Sequence, residues 1–110
     1  MKDVFIVEAV RTAIGNFGGA FTGTGAVDLG AAVVKALLER TKVGAAEVDE
    51  IVLGCVLQAG LGQNVARQVL VKAGLPIERT ALTVNMVCGS GLRAVAAAAQ
   101  AVKAEDACLV

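Results

Sequence analysis

Residues 81–103 read ALTVNMVCGSGLRAVAAAAQAVK, and the change of pattern inside this stretch decides the fold. Residues 82–85 are short and mainly apolar, as a buried strand requires. Gly89, Ser90 and Gly91 then make a turn. From 89 to 103, apart from Ser90 in the turn, the polar side chains are confined to Arg93, Gln100 and Lys103, with alanines at 94, 96–99 and 101. That composition predicts a helix with a narrow polar stripe, buried on most of its sides. Cys88 stands where the strand gives way to the helix.

Working outward, the same unit recurs. VFIVEAV at 4–10 and EIVLGCV at 50–56 read as buried strands. Between them Asp28 opens a helix whose apolar stripe is Leu29, Ala32, Val33, Ala36 and Leu37, ending near Thr41. Asn64 caps a second helix with Ala66, Val69, Leu70 and Ala73 on its inner face, and Gly74-Leu75-Pro76 stops it. Residues 11–26 hold five glycines and form a loop. DACLV at 106–110 starts a last strand. The predicted order is β-α-β-α-β-α-β, an α/β half-domain with parallel strands and helical crossovers, in which the chain ends inside the fourth strand.

The 110 residues suffice for one small domain. Lys plus Arg equals Asp plus Glu at 10 each, so no basic patch recommends a nucleic acid or an anionic membrane as partner. Mean hydropathy is high at +0.72, yet charges interrupt every run before the ~18–20 apolar residues of a membrane span. Asp3 and Glu8 inside the first apolar run argue against a signal peptide. The excess apolar surface is expected to be covered by another subunit or another part of the protein. Cys55, Cys88 and Cys108 are odd in number, lack CxxC spacing and have no histidine beside them. No metal site is expected, and reduced thiols fit a cytoplasmic compartment. Cys55, inside a strand pattern, reads as a small apolar core residue.

Three chemistries compete for VNMVCGSGLRA. Gly89-Ser90-Gly91-Leu92-Arg93-Ala94 matches the dinucleotide fingerprint G-x-G-x-x-A, but it lies in the third βα unit, and no acidic residue ends a following strand. Ser90 fails the hydrolase elbow G-x-S-x-G because position 88 is cysteine. The third candidate is Cys88 as nucleophile. The positive end of a helix favours negative charge, and backbone N–H groups beside Gly89 and Gly91 can meet a developing oxyanion. Spacing alone leaves this reading and that of an inert cysteine beside a helix cap both open.

VEAVRTAIG at 7–15, VLQAGLGQNVARQ at 56–68 and TVNMVCGSGLRA at 83–94 together resemble the thiolase family, in the family's order and along the whole chain. The resemblance implies a thiolase-like fold in which 1–110 is part of the N-terminal domain, with a loop domain and a C-terminal domain outside it. It implies that Cys88 is the acyl-accepting nucleophile, with its backbone N–H in an oxyanion hole. The implied reaction is Claisen condensation of two acetyl-CoA to acetoacetyl-CoA and CoA, or the reverse thiolysis, through an acetyl-cysteine. The middle segment is most similar to the acetoacetyl-CoA-forming branch; the alternative is a 3-ketoacyl-CoA thiolase of broader chain length. Coenzyme A thioesters enter as substrates, and no cofactor is implied. A homodimer or homotetramer is implied, with the third strand at the subunit interface. The family activates its cysteine with a histidine and moves the α-proton with a second cysteine. This sequence has no histidine, and neither Cys55 nor Cys108 matches the second cysteine. The 110 residues alone are therefore expected to be non-catalytic. Two departures from the family pattern are Ala13, where proline is frequent, and Glu105, where a helix-ending glycine is common.

Overall fold

The described core runs α1 (Ala26–Thr41), β1 (Glu50–Gly54), α2 (Val65–Ala73), β2 (Thr80–Val84) and α3 (Ser90–Lys103), with a 3-10 turn at Ala45–Glu47 before β1. The computed structural model describes residues 2–110. β1 and β2 pair in parallel, from Glu50 opposite Thr80 to Gly54 opposite Val84. Their connection contains α2, as a parallel pair requires. Ile51, Leu53 and Ala81 point into a cluster with Ala31 of α1 and Ala66, Val69, Leu70 and Ala73 of α2. Gly54 instead meets the first turn of α3. Side chains alternate along a strand, so α1 and α2 cover one face of the sheet and α3 the other.

α2 forms as its sequence dictates. Its four expected inner residues are all buried, and Leu70, Val65 and Val69 are the largest fully buried side chains, each contributing roughly 1.5–3 kcal/mol of burial. Gly74 ends the helix at φ +88. The Gly74 N–H donates to the Val71 carbonyl and the Leu75 N–H to the Leu70 carbonyl, both at 3.1 Å, the paired closure that a left-handed residue permits.

The α/β class with parallel strands holds, and several details differ from the sequence reading. Residues 4–10 join no ladder among the described residues. Phe5 and Ile6 are each 79% exposed, and the segment is tied to α1 through Glu8 Oε2, which accepts from Arg40 Nε at 3.2 Å. β-branched residues favour an extended chain, but a strand exists only where a neighbour takes its backbone groups. Residues 106–110 likewise form no strand. Their one ladder-like bond is Asp49 N–H to the Leu109 carbonyl at 2.9 Å, while Asp49 Oδ2 takes the N–H groups of Cys108 at 2.7 Å and Leu109 at 3.1 Å. A carboxylate has replaced the ladder.

α1 also packs on a different face. Val27, Ala31, Val34 and Leu38 meet the core, whereas Leu29 and Val33 line a shallow groove with Leu53, Gly54, Cys55 and Val65. Both stripes are apolar at helical spacing, and the one carrying the small Ala31 allows the closer approach to α2. The helix begins two residues before Asp28, with Gly25 as N-cap and no capping side chain. Asp28 pairs with Lys72 of α2; that hydrogen bond, then the lysine's charge, lowers its pKa. α3 is less buried than its composition suggests: Leu92 is 78% and Val95 52% exposed. Only Ser90 and Ala94 of this helix are buried, because the sheet covers one side alone.

Candidate functional site

β2 ends at Val84 and α3 begins at Ser90, leaving five residues to reverse direction. The turn is closed by Gly89 N–H to the Met86 carbonyl at 3.0 Å and Ser90 N–H to the Val87 carbonyl at 3.1 Å. Its cost falls on Val87, which sits at φ +47. A β-branched residue in that region is strained by about 1–3 kcal/mol and persists only where its surroundings impose the conformation.

Two side chains impose it. Ser90 is 4% exposed; its Oγ accepts the Met86 N–H at 2.9 Å and donates to the Val87 carbonyl at 2.6 Å. Asn85 Oδ1 accepts the Val87 N–H at 3.0 Å, and its Nδ2 donates to the Val56 carbonyl beyond β1 at 3.1 Å. The next residue is Cys88. It is exposed, and its N–H finds no acceptor among the described residues. Gly89 is the N-cap of α3, and no side chain among the described residues caps the helix. An exposed thiol thus stands beside a helix end whose first-turn amides have no side-chain acceptor, the arrangement that welcomes developing negative charge.

β1 supports this turn from beneath. A Cβ built on Gly54 would lie 2.5 Å from the Ser90 carbonyl carbon and 2.7 Å from the Gly91 nitrogen. Only glycine allows the strand to come so close to the start of α3. Gly54 and Asn85 were not singled out from sequence. The available signal for the first was a glycine inside a strand pattern, which often marks close backbone approach. In front of Gly91 there is open space, in keeping with room for a ligand.

The other thiols lie elsewhere. Cys55 is half-buried after β1, where its N–H donates to the Val84 carbonyl at 3.0 Å. Its side chain lines the groove beside α1, partly as expected of a core cysteine. Cys108 is exposed in the segment held by Asp49. No hydrogen bond joins either thiol to Cys88 among the described residues. No group of three or more His, Cys, Asp or Glu that could hold a metal occurs there either. No helix among the described residues is long and apolar enough to cross a membrane. Asp49 is held below the usual carboxylate range by the Cys108 and Leu109 N–H groups, with Arg79 adding a smaller effect.

Several known proteins are similar to this chain. The thiolase N-terminal domain family matches residues 4–110. An acetyl-CoA acetyltransferase of Escherichia coli is 58% identical over 97% of this chain and 27% of its own length. One from Chromobacterium violaceum is 59% identical over 98% of this chain and 28% of its own. A thiolase from Ascaris suum, solved in complex with coenzyme A, superposes with a TM-score of 0.91 at 41% identity over 94% of this chain and 27% of its own. The chain therefore spans a little over a quarter of the length of these relatives. With the family match running through nearly every residue, the chain belongs to the thiolase family, to its N-terminal domain.

Proposed function

We propose that this chain supplies the acyl-accepting part of an acetyl-CoA acetyltransferase, with Cys88 as nucleophile. The observation that carries the reading is the exposed Cys88 on a strained turn at an uncapped helix N-terminus. In the first step the Cys88 sulfur attacks the thioester carbonyl of acetyl-CoA. A carbon–sulfur bond forms to Cys88, the bond to CoA breaks, and the thiol proton leaves with CoA as its free thiol. The Cys88 N–H, with no acceptor of its own among the described residues, would meet the carbonyl oxygen while it carries negative charge. In the second step a second acetyl-CoA, deprotonated at its α-carbon, attacks the acetyl-cysteine. Acetoacetyl-CoA forms and the Cys88 thiolate is released; thiolysis is the reverse.

The sequence contains no histidine and neither Cys55 nor Cys108 matches the family's second cysteine, so on this reading these residues supply neither the base that activates Cys88 nor the group that takes the α-proton. For these 110 residues alone the reading is acyl acceptance without turnover. The family's homodimeric or homotetrameric assembly and a cytoplasmic setting complete the proposal.

Iodoacetamide labelling followed by peptide mapping tests it. Cys88 is expected to be labelled ahead of Cys55 and Cys108, with acetyl-CoA protecting it. Preferential labelling of Cys55, or labelling of Cys88 indifferent to acetyl-CoA, contradicts the assignment.

A further inference from the structure

The buried hydroxyl of Ser90 is too well placed to be only a polar group seeking a partner. It bonds both the Met86 N–H and the Val87 carbonyl, so it grips the 85–86 peptide and the 87–88 peptide that follows the strained residue. Asn85 holds the third polar group of the turn, the Val87 N–H, and fastens the turn to the Val56 carbonyl on the far side of β1. Val87 has no intrinsic preference for φ +47, so these bonds, not its own backbone preference, keep it there. The residue next to it is Cys88, whose side chain makes no bond of its own among the described residues that would fix its direction.

We propose that Ser90 and Asn85 are positioning residues for Cys88, acting through the left-handed Val87 peptide to hold the thiol at the open end of α3. The chemical interest of the inference rests on the reading of Cys88 as acyl acceptor, but its geometry does not. Without the Ser90 hydroxyl the Met86 N–H and the Val87 carbonyl each lose a partner. Val87 then relaxes to negative φ, the 87–88 peptide rotates, and the thiol turns away from the helix end. Asn85 contributes through one bond to the strained residue and one to its anchor, so its loss has the smaller effect.

The test compares the iodoacetamide labelling rates of Cys88 and Cys108 within the same chain, with Cys108 as internal reference because it too is exposed and lies in a different segment. In Ser90→Ala the Cys88-to-Cys108 ratio is expected to fall about threefold, the size of a helix-terminus effect. Asn85→Ala shifts it the same way by less. Ser90→Thr keeps the hydroxyl and restores the parent ratio, which a general loosening of the fold would not do. Far-UV circular dichroism and a urea melt establish that each variant is folded; if Ser90→Ala is not, Asn85→Ala, altering an exposed side chain, decides alone. An unchanged ratio in the folded alanine variants, or a Ser90→Thr ratio as low as that of Ser90→Ala, overturns the inference. Failure of acetyl-CoA to protect Cys88 in the parent chain counts against the acyl-transfer reading instead, and the ratio still decides this one.

Discussion

At the N-terminus of α2, Asn64 Oδ1 accepts the Arg67 N–H at 3.1 Å. The same side chain is bound to β2, accepting from Thr83 Oγ1 at 2.8 Å and donating to the Ala81 carbonyl at 2.9 Å. Thr83 Oγ1 in turn takes the Ala66 N–H at 2.9 Å. At the N-terminus of α3 no side chain among the described residues caps the helix, and the polar side chains nearby grip the turn instead of the helix amides. Both helices follow a parallel strand and both need their first-turn donors satisfied. One junction meets that need from within the chain. The other leaves the Gly91 and Leu92 N–H groups without an acceptor among the described residues, beside a thiol, and holds Val87 in a strained conformation, as sites that must receive a ligand often do.

The contrast can be broken by substitution. The largest effect is expected from Gly54→Ala. Its new methyl would meet Ser90 and Gly91 backbone atoms on α3, which cannot swing aside as a side chain could. A loss of about 2 kcal/mol in urea unfolding is expected, with slower labelling of Cys88; parent-like stability would mean that β1 does not set the position of α3. Next, Asn64→Ala should cost about 1 kcal/mol through the lost cap, with Cys88 labelling unaffected. If the two junctions were coupled, both readouts would move together.

Val87→Gly sharpens the other side of the comparison. Glycine accepts φ +47 without strain, and after its greater unfolded-state entropy is counted a net gain of about 0.5–1 kcal/mol is expected. Stability should rise while Cys88 labelling slows, because a glycine turn no longer holds one orientation. A destabilised variant would show that the valine side chain matters more than its backbone.

The smallest effect concerns acid. Asp49 has a pKa below its unfolded value, through the N–H groups of Cys108 and Leu109 and, to a lesser degree, Arg79. It binds its proton more weakly when folded, so its contribution is fully present above the unfolded value of ~3.9. That contribution disappears as pH falls through the lowered folded value. Hydrogen exchange at the Cys108 and Leu109 amides, corrected for the intrinsic rate, should therefore lose protection below about pH 4. In Asp49→Asn that pH step should be absent; its persistence would remove Asp49 as the cause.

How much of this was legible in the sequence varies with how local the cause is. The α2 caps were plain because Asn64 and Gly74-Leu75-Pro76 act on their own helix. Position 105, marked as a glycine site by family resemblance, is left-handed at φ +65 with Glu105 in place. The Asp106 N–H closes on the Ala101 carbonyl at 3.0 Å, as the Leu75 N–H does on Leu70 after α2. The outer strands at 4–10 and 106–110 were over-read because strand propensity says nothing of whether a partner is present. The packed face of α1 was misplaced because two apolar stripes share one helix, and contact with α2 chooses between them. The location of Cys88 between strand and helix could be read directly. The left-handed Val87 could not, since Ser90 and Asn85 impose it only once the turn has folded.

The most direct test of the central claim is peptide-resolved mass spectrometry of the chain after exposure to acetyl-CoA. The account expects one acetyl group on the peptide containing Cys88, removed by added CoA and absent in Cys88→Ala. Acetylation of Cys55 or Cys108 in preference to Cys88, or of no thiol at all, would contradict it.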